Sequence, residues 1–247
     1  MPTVLRTQTQ ITKCMSHAKD ITQLQQEIGF NFNDINVLKK AVTHRSYLNE
    51  NPDEDLHHNE RLEFLGDAVL ELVTTDYLFE NYPNRPEGEL TAIRAALVNT
   101  ESIATSAKEV GLNPYLRLSK GERQDTGRGR QFILANTYEA VIGAVYVDQG
   151  YTHAKDFIAE TLLVRAEQVI TSQNWRDAKS VFQEKAQEHV SITPEYKTLD
   201  ESGPDHDKIF TVGVFLEDKK IAEGQGKSKQ DAESEAAQKA LDTKDWG

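Results

Sequence analysis

Cysteine is almost missing from this 247-residue chain: Cys14 is the only one. A lone thiol excludes an internal disulfide and any cysteine-based metal cage, and it suits a reducing, cytosolic setting. No apolar run approaches the length needed to span a bilayer, so a membrane is not an expected partner. Residues 1–19 lack the apolar stretch of a secretory signal, and no acid precedes Asp20. Residues 1–20 are therefore expected to form a flexible tail. Positive charge is scarce as well: 28 Lys and Arg stand against 40 Asp and Glu, a net charge of −12. That excludes a protein that grips polyanions by bulk charge, although binding depends on where the basic groups sit. An acidic chain holds a nucleic acid when metal neutralises some of its carboxylates and a few Lys and Arg line the contact. Weak non-specific binding and a need for divalent cations follow. Hydrophobic content of 38% and charged content of 28% indicate a folded chain with one or two cores.

Strand signals are missing from residues 21–171. Periodic helical runs cover Glu60 to Glu80, Glu89 to Val110 and Phe132 to Val147, separated by breakers at 82–88, 111–114 and 121–130. This region is expected to be all-α. A short polar linker, residues 172–176, precedes a change of pattern. Ser180 to Val190 reads as an amphipathic helix, and Glu195 to Asp200 and Ile209 to Leu216 read as strands. In the second strand Phe210, Val212, Val214 and Leu216 alternate onto one face. A turn at Asp218-Lys219 leads to a third strand beginning at Lys220. Ser228 then starts the last helix, with Asp231 three residues on as a capping box. Ala232, Ala236, Ala237, Ala240 and Leu241 give that helix a smooth face able to lie on a sheet. The order is α-β-β-β-α, a small α+β domain at 177–245.

Acids concentrate on two helices. Glu60, Glu63 and Asp67 stand at i, i+3 and i+7 and share a face, with Leu62, Leu65, Val69 and Leu72 forming the apolar side. Three acids on one face repel one another, and an interior helix does not carry them without compensation. The strongly apolar segment 135–144 holds Asn136 and Glu139 one turn apart. If the two helices pack, with Gly66 and Gly143 allowing close approach, Glu63, Asp67, Asn136 and Glu139 converge. Oxygen-only donors suit a hard cation, Mg²⁺ or Mn²⁺. Solvated acids on exposed faces are the alternative the spacing leaves open. A ferritin-like di-iron bundle needs Glu-x-x-His pairs, which neither helix has.

The stretch Asn59-Glu60-Arg61-Leu62-Glu63-Phe64-Leu65-Gly66-Asp67 resembles the signature of the ribonuclease III family. Ala41 to Tyr47, Pro86 to Thr91, Arg94 to Val98, Leu118 to Glu122 and Ile133 to Asp148 resemble further blocks of that family, so the likeness runs from about Ile21 to the end of the chain. The resemblance implies an all-α endonuclease domain at 21–171 followed by a double-stranded-RNA-binding domain. It also implies hydrolysis of both strands of an RNA duplex to 5′-phosphate and 3′-hydroxyl ends, in processing precursor ribosomal RNA and structured messenger or small RNAs. Implied partners are double-stranded RNA and a second copy of the chain, with Mg²⁺ (Mn²⁺ as substitute) and no small-molecule organic cofactor. By resemblance, Glu63, Asn136 and Glu139 hold the metal and Asp67 and Glu139 are catalytic. Glu60 and Glu87 are acids near the cleavage site or interface. Phe64 is expected near the two-fold axis, though as a lone aromatic it reads as core. One position departs: the family has Asp where Asn136 stands. A carbonyl oxygen replaces a charge, which weakens metal binding. A natural variant, an engineered exchange and a catalytically impaired RNA-binding protein all remain open on this point.

The C-terminal segment resembles the double-stranded-RNA-binding fold through Ser202 to His206 and Gly224 to Lys229. Duplex RNA is read by shape, 2′-hydroxyls and phosphates rather than base edges. The resemblance places Gln183 and Glu184 in one minor groove, His206 in the next, and Lys227 and Lys229 at phosphates between them. Gln230 stands where the family carries a second basic residue.

Overall fold

The computed structural model describes residues 20–172, 175–204, 208–244 and 246. The expected flexible tail, save Asp20, and His206 lie outside the described residues. The described chain divides into two compact units, residues up to Val73 with Asn99–Val164, and Thr74–Val98 with Arg165 onward.

The first unit is helical. Helix α1 spans Ile21–Glu27, α2 Ile35–Ala41 and α3 Arg45–Glu50. Each begins where a side chain takes up an orphan amide. Asp20 accepts from the Thr22 amide at 3.0 Å, Asp34 from Asn36 at 2.9 Å, and the His44 ring from Ser46 at 3.3 Å. Helix α4, Glu60–Asn81, starts in this unit and runs into the next. Helices α6 (Thr100–Glu109), α7 (Lys120–Gln124), α8 (Arg128–Gln149) and α9 (Tyr151–Thr161) complete it. From Ile133 to Val145 almost every residue of α8 is buried, including polar Thr137. A helix apolar on all sides belongs at the centre of its unit, and α2, α6 and α9 pack around α8.

Helix α4 meets α8 through two glycines. A β-carbon on Gly66 would lie 1.8 Å from the Glu139 carbonyl oxygen, and one on Gly143 would lie 2.2 Å from the Leu62 carbonyl oxygen. The buried side of α4 in this unit is Leu62, Gly66, Val69, Leu70 and Val73. This corrects two expectations. Leu72 is 57% exposed and Phe64 is 81% exposed, so neither belongs to the core. The close glycine contact rotates α4 so that Leu70 and Val73 face inward and Phe64 outward.

In the second unit α5 (Glu87–Leu97) follows Pro86, whose fixed backbone starts the helix, and α10 (Ala166–Ser172) packs against it. The single helical run expected from Glu89 to Val110 is broken. Asn99 ends α5's stretch and caps α6 by accepting from the Ser102 amide at 2.9 Å. Helix α11 (Ala178–Val190) leads to strands β1 (Glu195–Ser202), β2 (Ile209–Leu216) and β3 (Lys219–Gly226), then α12 (Lys229–Lys244). The strands form an antiparallel sheet in the order β1-β2-β3. The turn falls at Glu217 and Asp218, with Glu217 at φ 54°, and Lys219 already belongs to β3. The expected Asp218-Lys219 turn is thus one residue late. Ser228 Oγ accepts from the Asp231 amide at 3.1 Å and starts α12. Ala232, Ala236, Ala237 and Ala240 are fully buried, and a β-carbon on Gly224 would lie 2.3 Å from the Ala236 nitrogen. Small residues let helix backbone lie against strand backbone here.

Alanine at a helical glycine ordinarily stabilises by about 1 kcal/mol. Gly143→Ala is expected to do the reverse, costing roughly 1–3 kcal/mol by forcing α4 and α8 apart. Thermal or urea unfolding of the variant reads the sign, and a stabilised Gly143→Ala protein would contradict the contact.

Candidate active site

The contact that buries Gly66 and Gly143 sets the neighbourhood of the acids. Glu63 and Asp67 leave α4 on either side of Gly66, and Glu139 leaves α8 directly opposite, its carbonyl against that glycine. Glu139 is half-buried. Burial, then the charge of Asp67, then that of Glu63 push its carboxyl up to about 8. Glu63 is also half-buried and its carboxyl is raised. Burial is again the main cause, with Glu60 and Asp67 adding to it. Asp67 itself faces solvent. Of the four residues expected to converge, Asp67 and Glu63 raise the Glu139 carboxyl, Asp67 raises that of Glu63, and Asn136 hydrogen-bonds Glu63.

Asn136 has a defined part in this arrangement. Its side chain hydrogen-bonds Glu63 and partly offsets the upward push on that carboxyl. An aspartate at the same point would add a like charge instead. The exchange eases the acid cluster while reducing what it offers a cation.

Among the described residues no three His, Cys, Asp or Glu side chains stand together as a ready-made metal cage. The donor set nevertheless fits a hard divalent ion. It consists of half-buried carboxylate and amide oxygens from Glu63, Asn136 and Glu139. Mg²⁺ needs only one or two such carboxylates because it keeps several of its waters.

The remaining candidates are placed as follows. Glu60 lies at the start of α4, with Arg45 Nη1 at 3.6 Å and His58 Nδ1 at 3.7 Å. Sequence reasoning gave neither Arg45 nor His58 a role, although Arg45 lies in the Ala41 to Tyr47 block and His58 directly precedes the Asn59 to Asp67 stretch. Glu87 is the first residue of α5 and belongs to the other unit. Its carboxylate accepts from the Thr91 hydroxyl at 3.0 Å and lines a cavity of about 760 Å³ with Phe79, Tyr82 and Arg94. On α11, Gln183 and Glu184 are exposed, and Glu184 pairs with Arg176 at 2.8 Å. Lys227 is exposed and is the first residue after β3, ahead of α12. Lys229 pairs with Glu201 at 3.0 Å and lies over the Phe210 ring. Glu201 was a further unforeseen residue, because strand spacing alone does not say which acid of β1 meets the start of α12.

Comparison with known proteins agrees with this geometry. Residues 34–166 match the Ribonuclease-III-like family and residues 178–243 match the double-stranded RNA binding motif. The protein named Ribonuclease 3 from Carboxydothermus hydrogenoformans is 47% identical over 224 residues, covering 91% of this chain and 95% of that protein. Ribonuclease 3 from Borreliella afzelii is 39% identical, covering 92% of this chain and 94% of the relative. Among solved structures, the nuclease domain of ribonuclease III from Campylobacter jejuni superposes with a TM-score of 0.53 at 38% identity. It covers 58% of this chain and 96% of that one, and that work concerned a region involved in dimer formation. With relatives this similar along nearly their whole length, and with its acids gathered where α4 meets α8, the chain belongs to the ribonuclease III family.

Proposed function

We propose that this protein is an endoribonuclease that hydrolyses double-stranded RNA, working as a homodimer with a divalent metal. The observation that carries the reading is Glu139, pushed up to about 8 by its burial and by Asp67 and Glu63 across the glycine contact. Such an arrangement is costly for stability, and a divalent cation among the carboxylates would offset that cost. The nuclease domain is assigned to 21–171, the linker to 172–176 and the RNA-binding domain to 177–245. The setting is the cytoplasm, in keeping with one cysteine and no described helix long and apolar enough to cross a membrane. Substrates of the class implied by the resemblance are precursor ribosomal RNA and structured messenger or small RNAs.

Glu63, Asn136 and Glu139 would hold the metal, with Mg²⁺ preferred and Mn²⁺ able to replace it. When bound, the ion supplies a lowered pKa for an attacking water and neutralises phosphate charge. As a ligand Glu139 would be held in its ionised form. Asp67, open to solvent on the same helix face, orients the incoming water and takes its proton. Glu60 and Glu87 serve as acids beside the cleavage site or at the dimer interface. Phe64, Ala68 and Leu72 form an exposed stripe at i, i+4 and i+8 on α4. An apolar stripe of this kind suits a two-fold interface between copies. Gln183, Glu184 and His206 approach the minor grooves, and Lys227 and Lys229 the phosphates. The reading in which Asn136 leaves only an RNA-gripping protein is not favoured, since Glu63, Asp67, Glu87 and Glu139 are all present. Incubating labelled duplex RNA with Mg²⁺ or Mn²⁺ tests the function: 5′-phosphate products support it, and a stable complex without products refutes it.

Asn136→Asp restores a charge to the cluster, so the Mg²⁺ concentration for half-maximal cleavage is expected to fall about tenfold, equal to ~1.4 kcal/mol. Unchanged rates at limiting Mg²⁺ would show that the position does not govern metal binding.

Glu139 has a folded pKa of about 8 against an ordinary 4.5. Between those values the folded form keeps a proton that the unfolded form has lost, so stability falls as pH rises through this window. The penalty is complete above about 8. Glu139→Gln is therefore expected to stabilise the metal-free protein at pH 9, on the order of 2 kcal/mol after solvent screening, and hardly at pH 4. Urea unfolding at the two pH values checks this, and equal effects at both would contradict it.

Replacing Lys227 and Lys229 together with Ala is expected to weaken duplex binding and flatten its salt dependence by about 1–2 in log–log slope. A slope that does not move would remove these lysines from the phosphate contact.

A further inference from the structure

Among the described residues of the first unit, two arginine–glutamate pairs are of opposite character. Arg117 is bound as a structural cation. Its Nη2 lies 2.5 and 2.6 Å from the two Glu54 oxygens and 2.7 Å from the Tyr47 hydroxyl, and its guanidinium sits 4.2 Å over the Tyr47 ring. Arg45 is held loosely. Its Nη1 is 3.6 Å from Glu60, beyond the 2.7–2.9 Å typical of a charge-assisted hydrogen bond, and the two side chains are 68% and 48% exposed. Exposed pairs of this kind contribute little to stability. Arg45 is also the first residue of α3, the end of a helix where the peptide dipoles disfavour a cation. Neither the pair nor the position is explained by folding.

Its location is informative. Glu60 begins the row of acids on α4, with Glu63 about 4.5 Å and Asp67 about 10 Å further along the helix axis. Arg45, His58, Glu60 and Glu122 all act electrostatically on the half-buried His44, so these groups share one neighbourhood. An exposed guanidinium thus stands at one end of an acidic row.

We propose that Arg45 is a phosphate-binding residue of the cleavage site. In the free protein it rests on Glu60. When duplex RNA docks, it turns to a backbone phosphate flanking the one set over Glu63, Asp67 and Glu139. Glu60 and His58 position it rather than contact the reacting bond. The guanidinium fork suits two phosphate oxygens, whereas a lysine would contact them as a point charge. The assignment rests on the nuclease reading above and adds to it a residue for the substrate backbone.

The test compares wild type, Arg45→Ala and Arg45→Lys in cleavage with Mg²⁺ and in duplex binding with Ca²⁺, under conditions where products are confirmed absent. Arg45→Ala is expected to raise both Kd and KM about five- to tenfold and to make the log–log salt slope shallower by about one. The expected kcat stays within threefold of wild type and the Mg²⁺ requirement does not move. Arg45→Lys is expected to recover most of the binding and the full slope. An unchanged Kd and slope for Arg45→Ala, or a loss confined to kcat or to the Mg²⁺ requirement, overturns the proposal. If wild type yields no products, the nuclease reading falls separately, and the Ca²⁺ binding slopes still decide whether Arg45 meets phosphate.

Discussion

Helices α4 and α8 approach until a methyl group on Gly66 would strike the Glu139 carbonyl and one on Gly143 would strike that of Leu62. Every functional property argued for the first unit depends on that approach. It buries the apolar side of α4 against the centre of the unit, and it brings carboxylates from two helices into one field. It also fixes which side of α4 is left over. With Gly66 facing α8, Phe64 and Leu72 face away and form an exposed apolar stripe.

The electrostatic consequence is a pair of carboxyls, on Glu139 and Glu63, that resist ionisation in the folded protein. Glu139 and Glu63 are raised chiefly by burial and secondarily by their acidic neighbours. Asn136 moderates this by giving Glu63 a hydrogen bond in place of another charge. The same economy of positive charge holds in the RNA-binding half, where Lys229 is shared with Glu201. A chain with net charge −12 has few cations to spend, so each cation beside a binding surface is informative.

Much of this was legible in the residues. The i, i+3, i+7 spacing of Glu60, Glu63 and Asp67 and the two glycines anticipated the convergence. The alternation in β2 and the alanine face of α12 anticipated the second domain's sheet and helix. What was not legible has physical causes. The orientation of α4 about its axis follows from the glycine contact, so Phe64 and Leu72 could not be placed by hydrophobicity alone. The break at Asn99 hides inside a continuous apolar periodicity and shows only in its cap. The pairings of Arg45 with Glu60 and of Lys229 with Glu201 join segments whose separation in sequence carries no spacing signal.

The central claim is that side chains of α4 and α8 share one divalent cation. Crystals soaked in Mn²⁺ and measured at the manganese absorption edge test it most directly. The account predicts an anomalous peak at coordinating distance from Glu63, Asn136 and Glu139. A peak elsewhere, or none at saturating Mn²⁺, would contradict it.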